Sequence, residues 1–383
     1  MSSKLPGLAV LCDFREERWA SMDLAGEMLL EQLAGDSSLG LTPARICPPF
    51  RRRLTRLPPL SDRGGAVNAD RLLNRLWDYP RYVHSIRQRF DLFHVVDHSY
   101  SQLVHALPAD RTGVYCHDLD TFRCLVRPDL EPRPAWFRRM GRHILAGMQK
   151  AAVVFHSTLA VREQIVHSGW IDPSRLVHAP YGTSIEFTSV APEVEPAEDL
   201  LASSAISGHP LVLHVGSCIA RKRIDVLLEV FSEVSQVRPE LRLVQVGGTW
   251  TTEQVKQIAR LEIGHRIVQF RGLTRRQIAS LYRRAALVLQ PSEAEGFGLP
   301  VIEALACGAI VAASDIPVLR EVGGPAAIYS PVGHVDQWVA AALQLLNDFS
   351  AAPLLPVRLD WASRYTWQAH ARTIANSYLQ LLS

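Results

Sequence analysis

Two glutamates lie eight positions apart around a glycine-rich turn, in the string Glu295-Gly-Phe-Gly-Leu-Pro-Val-Ile-Glu303. Pro300 fits the first turn of a helix, where its missing N–H group leaves no hydrogen bond unmade. The free N–H groups of such a helix start, which a ligand can approach closely over Gly296 and Gly298, form a site for a phosphate. Two carboxylates beside an anion site are costly unless sugar hydroxyls or cations satisfy them. The string therefore predicts a site for a phosphorylated ligand, with Glu303 placed to accept hydrogen bonds from ribose hydroxyls.

Two adjacent cations, Arg221 and Lys222, follow the apolar run Leu211–Val215 and Gly216. Fixed cations of this kind can stabilise a negative charge that develops during a reaction. The alternative is an ordinary solvated basic turn.

His117 and Asp118 follow the strand-like run Thr112–Cys116. The carboxyl end of a parallel strand is where α/β proteins bind their ligands. A histidine there can hydrogen-bond the hydroxyls of a sugar, and the alternative is a histidine whose partners are all within the protein. Asp118 and Asp120 also form a short acidic pair of the kind that binds Mg²⁺ or Mn²⁺ with a nucleotide. Such matches are common by chance and no His/Cys cluster has zinc spacing, so we expect no metal.

These residues belong to a chain in which short apolar runs alternate with helical patterns, which is typical of parallel sheets covered on both faces. The predicted strands are Leu8–Cys12, Leu92–Val96, Thr112–Cys116, Ala152–Phe155, Leu176–Ala179, Leu211–Val215, Leu241–Val246, Ile267–Phe270, Ala286–Gln290 and Ala309–Ala313. An acidic, proline-bearing stretch over 192–207 interrupts the alternation. We therefore expect an N-terminal domain over residues 1–190, a linker over 191–208, a C-terminal domain over 209–360 and a terminal helix over 361–383.

The composition places this chain of 383 residues among globular proteins, with 48% hydrophobic and 21% charged residues. A net charge of +3 is too small to indicate a nucleic-acid partner. The apolar runs fall short of the roughly 20 residues of a membrane span, and six cysteines without a CxxC pair predict a reducing cytoplasm. Arginines cluster in two places, at 51–53 with 56 and at 138, 139 and 142. These clusters are either solvated surface or contacts to an anionic membrane or a phosphorylated acceptor.

The string from Glu295 to Glu303 resembles the E-x7-E signature of the retaining glycosyltransferases of family 4. That family has the GT-B fold, an α/β architecture of two facing Rossmann-like domains with parallel sheets. Further segments are similar to the same family: His214-Val-Gly216 with Arg221-Lys222, Phe270-Arg-Gly-Leu273 and Ala313–Glu321. The resemblance covers residues 209–335 almost continuously. The end of the chain resembles the GT-B ending, in which the last helix returns to the N-terminal domain.

The resemblance implies a role for each matching residue. Arg221, Lys222, Glu295 and His117 would be catalytic. The implied donor-binding residues are Gly216, Arg221, Lys222, Gly272, Leu273, Glu295, Gly296, Phe297, Gly298, Leu299 and Glu303. The implied acceptor-side residues are His117, Asp118, Arg15 and Trp19. The loop 12–21 departs from the family pattern because it contains no glycine, so Arg15, Arg18 and Trp19 either replace backbone contacts to the donor or face the acceptor.

The activity that this resemblance implies is metal-independent transfer of a hexose, with mannose as one candidate, and with retention at the anomeric carbon. The donor would be GDP- or UDP-linked and bound mainly by the C-terminal domain, and no cofactor is implied. The acceptor would be a growing glycan or a lipid-linked glycan in polysaccharide or glycoconjugate biosynthesis. We expect a cytoplasmic protein, with peripheral contact to the inner face of the cytoplasmic membrane as an option. Two alternatives stay open: a nucleotide-sugar epimerase or hydrolase on the same fold, and a donor-binding scaffold protein without catalysis.

Overall fold

The computed structural model describes residues 5–17, 19–57, 64–126, 128–193, 196 and 207–383. The chain divides into two compact units. Unit 1 comprises Met1–Tyr181 with Trp367–Ser383, and unit 2 comprises Gly182–Thr366. The division therefore falls after residue 181 rather than after the expected 190, and after residue 366 rather than 360. Most of the expected linker lies outside the described residues.

Unit 1 contains a six-stranded parallel sheet in the order β2-β1-β3-β4-β5-β6. Its strands are β1 Gly7–Leu11, β2 Thr42–Ile46, β3 Leu92–Val95, β4 Thr112–Cys116, β5 Val153–His156 and β6 Leu176–His178. Its helices before residue 182 are α1 Ala20–Gly35, α2 Gly64–Leu73, α3 Tyr79–Ile86, α4 Arg123–Val126, α5 Ala135–Lys150 and α6 Leu159–Ser168. A π-helical turn, Asn74–Asp78, joins α2 to α3, and a 3₁₀ segment, His98–Ala106, follows β3.

Unit 2 contains a second six-stranded parallel sheet, in the order β12-β11-β10-β7-β8-β9. Its strands are β7 Leu211–Val215, β8 Arg242–Val246, β9 Ile267–Phe270, β10 Ala285–Gln290, β11 Val311–Ser314 and β12 Ile328–Ser330. Its helices are α7 Ile224–Val237, α8 Thr252–Arg260, α9 Arg275–Arg284, α10 Leu299–Ala306, α11 Pro317–Gly323, α12 Val335–Asn347 and α13 Leu355–Ser363.

The strands of unit 2 bury both of their faces, as a parallel sheet covered by helices requires. Along β7, Leu211 and Leu213 pack into one hydrophobic core, whereas Val212 between them packs into the other. Because side chains alternate across a strand, these two cores lie on opposite faces of the sheet. The apolar run of β7 is therefore a strand buried on both faces, and the expected doubly covered α/β architecture is confirmed.

The last helix, α14 (Trp367–Gln380), belongs to unit 1, as the sequence predicts. The Tyr378 hydroxyl donates to the carbonyl of Phe93 at 2.8 Å and lies 3.0 Å from Nδ1 of His94, both on β3. Trp361, which was expected to begin this terminal segment, remains in unit 2, where its Nε1–H donates to the carbonyl of Val322 at 2.8 Å. The chain returns to unit 1 only after α13 has packed on unit 2.

Candidate donor site

The glycine-rich turn between β10 and α10 leads into a helix start that has no side-chain cap. Gly298 adopts φ = +99°, a left-handed conformation that favours glycine, and no side chain caps the helix that begins at Leu299. Pro300 lies in the first turn, as predicted. Phe297 is buried and packs edge-on against Tyr365, with 5.7 Å between ring centroids. The aromatic contact anchors the turn while the helix start retains its capacity for an anion.

Glu295 and Lys222, which are 73 positions apart in the chain, form a buried ion pair. The Lys222 Nζ donates to Glu295 Oε1 at 2.5 Å, and the two side chains are 9% and 6% exposed. Arg221 approaches the other carboxylate oxygen, with 3.3 Å from its Nη1 to Glu295 Oε2. The structure therefore brings together three of the residues that the sequence analysis assigned to the donor site: Arg221, Lys222 and Glu295.

The charge state of Glu295 follows from these contacts. Burial by itself would raise the pKa of this carboxyl group, but the cations of Lys222 and Arg221 outweigh burial and hold the pKa at about 2. Glu295 is thus an anion that keeps two cations in place, and its carboxylate oxygens already have partners. A sugar hydroxyl that binds Glu295 would share the carboxylate with Lys222 and Arg221.

The two cations lie on a 3₁₀ turn, Ala220–Lys222, that follows β7. Arg221 ties this turn to the segment before α10, because its Nη1 donates to the carbonyl of Ala294 at 2.8 Å and its own carbonyl accepts from the N–H of Glu293 at 2.9 Å. The Arg221 side chain remains 28% exposed. One cation is thus buried and the other is accessible, an arrangement that can present positive charge to a phosphate.

Glu303 has a different environment from Glu295. The Tyr282 hydroxyl donates to its Oε2 at 3.4 Å, and the charge of Arg275 acts on it from a greater distance. Burial outweighs both effects and raises the pKa of Glu303 to about 7. The two glutamates of the string therefore have opposite electrostatic character, and Glu303 has the remaining hydrogen-bonding capacity that a ribose diol needs.

The expected glycines of the donor site have distinct surroundings. A Cβ atom on Gly216 would lie 3.2 Å from Cε1 of His214 and 3.7 Å from Cε of Lys222. Glycine there allows His214 and Lys222 to pack beneath the loop. Gly272 adopts φ = +68° with open space around it, and the neighbouring Leu273 packs against the core of unit 2. The backbone around Gly272 is thus accessible to a ligand, as a base-contacting loop requires.

His117 is buried at the carboxyl end of β4, and both of its ring nitrogens have protein partners. Nε2 lies 2.8 Å from the carbonyl of Val96, and Nδ1 forms a short hydrogen bond with the hydroxyl of Tyr181. Burial lowers the pKa of His117 to about 4, so the ring is neutral. A sugar hydroxyl could reach this ring only by replacing one of these partners. No motif in the sequence pointed to Tyr181, which follows β6 in the chain.

The other residues expected on the acceptor side lie at the surface of unit 1. Arg15 is an exposed side chain that pairs with Glu27 at 3.2 Å. Trp19 is 52% exposed, and its Nε1–H donates to Glu17 at 3.2 Å. Asp118 accepts from the N–H of Asp120 at 2.9 Å, which is a local turn contact. Arg18 lies outside the described residues.

Two absences concern the described part of the chain. Within it, no helix combines the length and apolar character that crossing a bilayer requires. Among the same residues, no three His, Cys, Asp or Glu side chains are grouped so as to hold a metal ion.

Residues 197–353 match the family described as glycosyl transferases group 1. The match lies within unit 2 and covers less than half of the chain. It contains Arg221, Lys222 and both glutamates of the string. The candidate donor site thus lies in the part of the chain that matches this family.

Two relatives of this chain in Escherichia coli are named as mannosyltransferases. The chain is 26% identical to the O-antigen chain mannosyltransferase B of Escherichia coli over 328 residues, which are 82% of this chain and 84% of that protein. It is also 26% identical to the serotype-specific mannosyltransferase WbdA of E. coli over 299 residues, but it spans only 36% of the length of WbdA.

A solved structure shows the fold. The Anabaena protein HepE in complex with UDP and glucose superposes with a TM-score of 0.73 at 15% identity, over 98% of this chain and all of HepE. The chain therefore has the GT-B fold that the sequence predicted.

Proposed function

We propose that the protein is a retaining hexosyltransferase that binds a nucleoside-diphosphate sugar on unit 2. The contact of Arg221 and Lys222 with the buried carboxylate of Glu295 carries this proposal. It fixes two cations against the segment that leads into the helix start at Leu299. A diphosphate placed there would receive N–H groups and positive charge together.

The cations serve the departing diphosphate. In transfer with retention, the bond from the anomeric carbon to the phosphate oxygen breaks, and the bond to the acceptor oxygen forms on the same face of the sugar. The acceptor proton passes to the leaving phosphate. Arg221 and Lys222 stabilise the charge that grows on the diphosphate, while Glu295 holds them in position. Because these side chains supply the charge, we propose that the reaction needs no metal and no cofactor.

The remaining donor contacts follow from the same arrangement. Glu303 accepts hydrogen bonds from the ribose diol, because its contact with the Tyr282 hydroxyl is long, at 3.4 Å, and leaves the carboxyl group with capacity for further donors. The backbone at Gly272 and Leu273 lies along the base. Gly216 lets the phosphates approach the backbone over His214 and Lys222.

The transferred sugar and the acceptor are inferred from the relatives. The names of two E. coli relatives specify mannosyltransferases, and one specifies O-antigen chains. We therefore propose GDP-mannose as the first donor to test and UDP-glucose as the second, since HepE binds UDP and glucose. The proposed acceptor is a growing or lipid-linked glycan of polysaccharide assembly, bound on unit 1 in the cytoplasm.

A peripheral membrane contact is part of this proposal. Within the arginine cluster at 51–53, two side chains differ in how free they are to contact lipid. Arg53 is engaged by Asp78 through two hydrogen bonds of 2.7 and 2.8 Å. Arg51 is 67% exposed and lies 3.6 Å from the same carboxylate. Arg51, rather than Arg53, would therefore face anionic lipid.

The test is transfer itself. Purified protein is incubated with GDP-mannose or UDP-glucose and a lipid-linked glycan acceptor, with and without EDTA, and the anomeric configuration of the product is read by NMR. We expect one donor to give an α-linked product with EDTA present. Free sugar as the only product would indicate a hydrolase, and donor binding without turnover would indicate a scaffold protein.

A further inference from the structure

Two acidic residues follow neighbouring strands at the carboxyl end of the sheet of unit 1. Leu11 on β1 is in register with Val95 on β3, and the N–H of Val96 donates to the carbonyl of Leu11 at 3.1 Å. Two positions further along each strand come Asp13 and Asp97. The parallel register places both residues at the carboxyl end of the sheet, just beyond two neighbouring strands.

The two carboxyl groups have unequal supplies of hydrogen-bond donors. Asp97 accepts from the N–H of Ser99 at 2.8 Å and from the Ser99 hydroxyl at 2.5 Å. Nδ1 of His98 also lies 3.3 Å from Asp97, but this nitrogen accepts from the backbone N–H of His117. Asp13 is 3% exposed, and neither of its oxygens has a donor among the described residues. A buried carboxylate with no donor is strongly disfavoured, whereas a protonated carboxylic acid can donate to the neighbouring carboxylate.

Burial and the neighbouring acidic groups also favour the neutral form of Asp13. Burial is the largest effect and the adjacent Asp97 the next, and together they raise the pKa of Asp13 well above its usual value. Arg75 opposes them, but its guanidinium is engaged by Ser99, with 2.5 Å to the carbonyl and 2.9 Å to the hydroxyl, and by Glu17 at 3.4 Å. Arg71 also pairs with Glu17, at 3.5 Å, so Arg75 is shared among three acidic side chains and Arg71 acts on Glu17 alone.

Asp97 is the ionised partner. Burial alone would raise its pKa, but His98, His117 and the hydrogen bonds from Ser99 hold the pKa at about 2. Other ionisable groups near Asp13 belong to the strand end and to adjacent elements: Cys12, Cys47, Tyr79 and Tyr100.

We propose that Asp13 is a neutral carboxylic acid whose O–H donates to Asp97, and that this shared proton positions Asp97 and the adjacent His98 and His117 for transfer. Nδ1 of His98 lies 3.4 Å from the backbone N–H of His117, so the carboxyl pair supports the end of β4. Asp13 is a positioning residue, and this role rests on the function proposed above. Asp13 lies in the loop after β1, where this chain has no glycine-rich turn.

A pH dependence follows. The native pKa of Asp13 is raised, so its contribution to stability is fully present below its unfolded value near 4 and is lost as the pH rises towards the native value. Over that interval the native state holds one extra proton, so the unfolding equilibrium constant of wild type rises by up to tenfold per pH unit. An asparagine side chain in place of Asp13 donates to Asp97 at every pH and removes this dependence.

The test compares wild type with Asp13→Asn and Asp97→Asn at pH 5 to 8. Asp110→Asn is the matched control, because the Asp110 side chain is 79% exposed. Infrared difference spectra in D₂O detect a protonated carboxyl group directly, and Glu303→Gln identifies the band of Glu303. We expect a further protonated carboxyl band at pH 7 in wild type and the control that is missing in Asp13→Asn. Melting temperatures report stability, and that of Asp13→Asn relative to wild type should rise with pH.

The second variant keeps the test decisive if the first folds poorly. In Asp97→Asn, the new side-chain amide can donate to an ionised Asp13, so this variant should also lose the band. Retention of every wild-type band in either folded variant, or a stability difference that does not change with pH, overturns the shared proton. For the positioning role, kcat of wild type should decline once the pH rises through the native pKa of Asp13, and Asp13→Asn should lack this decline. The same pH profile in both proteins contradicts the role. The infrared and melting measurements need no substrate, so they remain informative if the proposed transfer activity is wrong.

Discussion

Replacement of Lys222 by alanine should separate the catalytic role of this residue from its structural role. In the wild type, Glu295 has a pKa of about 2 instead of its usual value near 4.5. A shift of this size corresponds to about 3 kcal/mol of stability at neutral pH, at roughly 1.4 kcal/mol per pKa unit. The native pKa is lowered, so this stability is present above pH 4.5 and is lost as the pH falls towards 2.

Lys222→Ala leaves Glu295 buried with only Arg221, at 3.3 Å, as a cation partner. Most of the stabilisation should be lost, because breaking a buried pair from one side leaves an uncompensated charge. A domain of this size loses roughly 2–4 °C of melting temperature per kcal/mol, so we expect a decrease of about 6–12 °C. Turnover should fall by roughly 10²–10³, as it does when one preorganised group of a transition state is removed.

The double variant Lys222→Ala/Glu295→Gln distinguishes the two effects. It removes both charges, so its melting temperature should recover relative to the single variant, whereas turnover should not. Lys256→Ala is the control, because Lys256 is an exposed lysine of the same unit, paired with Glu253 on the surface. Turnover is measured as release of nucleoside diphosphate from the donor that supports transfer. Near-normal turnover in folded Lys222→Ala, or recovery of turnover in the double variant, would refute the assignment of Lys222 to the leaving group.

Two further predictions concern the string around α10. The pKa of Glu303 is about 7, so its contribution to stability is lost as the pH rises through 7, and Glu303→Gln should flatten the decrease in melting temperature between pH 5 and 8. The same variant should weaken nucleoside-diphosphate binding by roughly tenfold or more in calorimetry, since a charged hydrogen-bond partner of the ribose is lost. Gly298→Ala should destabilise by about 1–3 kcal/mol in urea titrations, because φ is +99° and the new Cβ would lie 2.6 Å from Leu319. Gly264→Ala, with its nearest contact at 3.6 Å, should be near neutral.

Buried strands could be predicted from the sequence because their apolar runs are continuous. β4 and β7 have the residue bounds that these runs predict, and so does β9, a half-buried edge strand whose run is also continuous. The edge strands β2 and β12 were not predicted. β2 reads Thr-Pro-Ala-Arg-Ile and is largely exposed, and β12 has three residues, so neither has the pattern of a buried strand.

The candidate donor site was predictable in its members but not in its chemistry. The resemblance pointed to Lys222 and Glu295, but a contact between side chains 73 positions apart depends on how β7 and β10 pair in the sheet. The spacing of Glu295 and Glu303 provided no sign that one would be a paired anion and the other a carboxyl group with a pKa near neutrality. Burial and neighbouring charge decide that difference, and both are properties of the folded chain.

The contacts of the residues expected on the acceptor side also depend on the folded chain and could not be predicted from the sequence. His117 was identified from its place at a strand end, but its hydrogen bond to Tyr181 joins residues that lie 64 positions apart. Asp13 and Asp97 carried no motif, and only the register of β1 with β3 brings them together. Residues of this kind could have been sought by collecting every polar residue that follows a predicted strand.

The most direct test of the proposed donor site is a thermal-shift panel with UDP, GDP, ADP, CDP and dTDP, each with and without EDTA, on wild type and Lys222→Ala. A nucleotide at 100 times its Kd adds about 2.7 kcal/mol of stability. That corresponds to roughly 5–10 °C for a domain of this size. The proposed site predicts stabilisation by one nucleotide that EDTA leaves intact and that Lys222→Ala largely removes. No shift with any nucleotide on folded protein would contradict the site, and a shift abolished by EDTA would contradict its independence from metal.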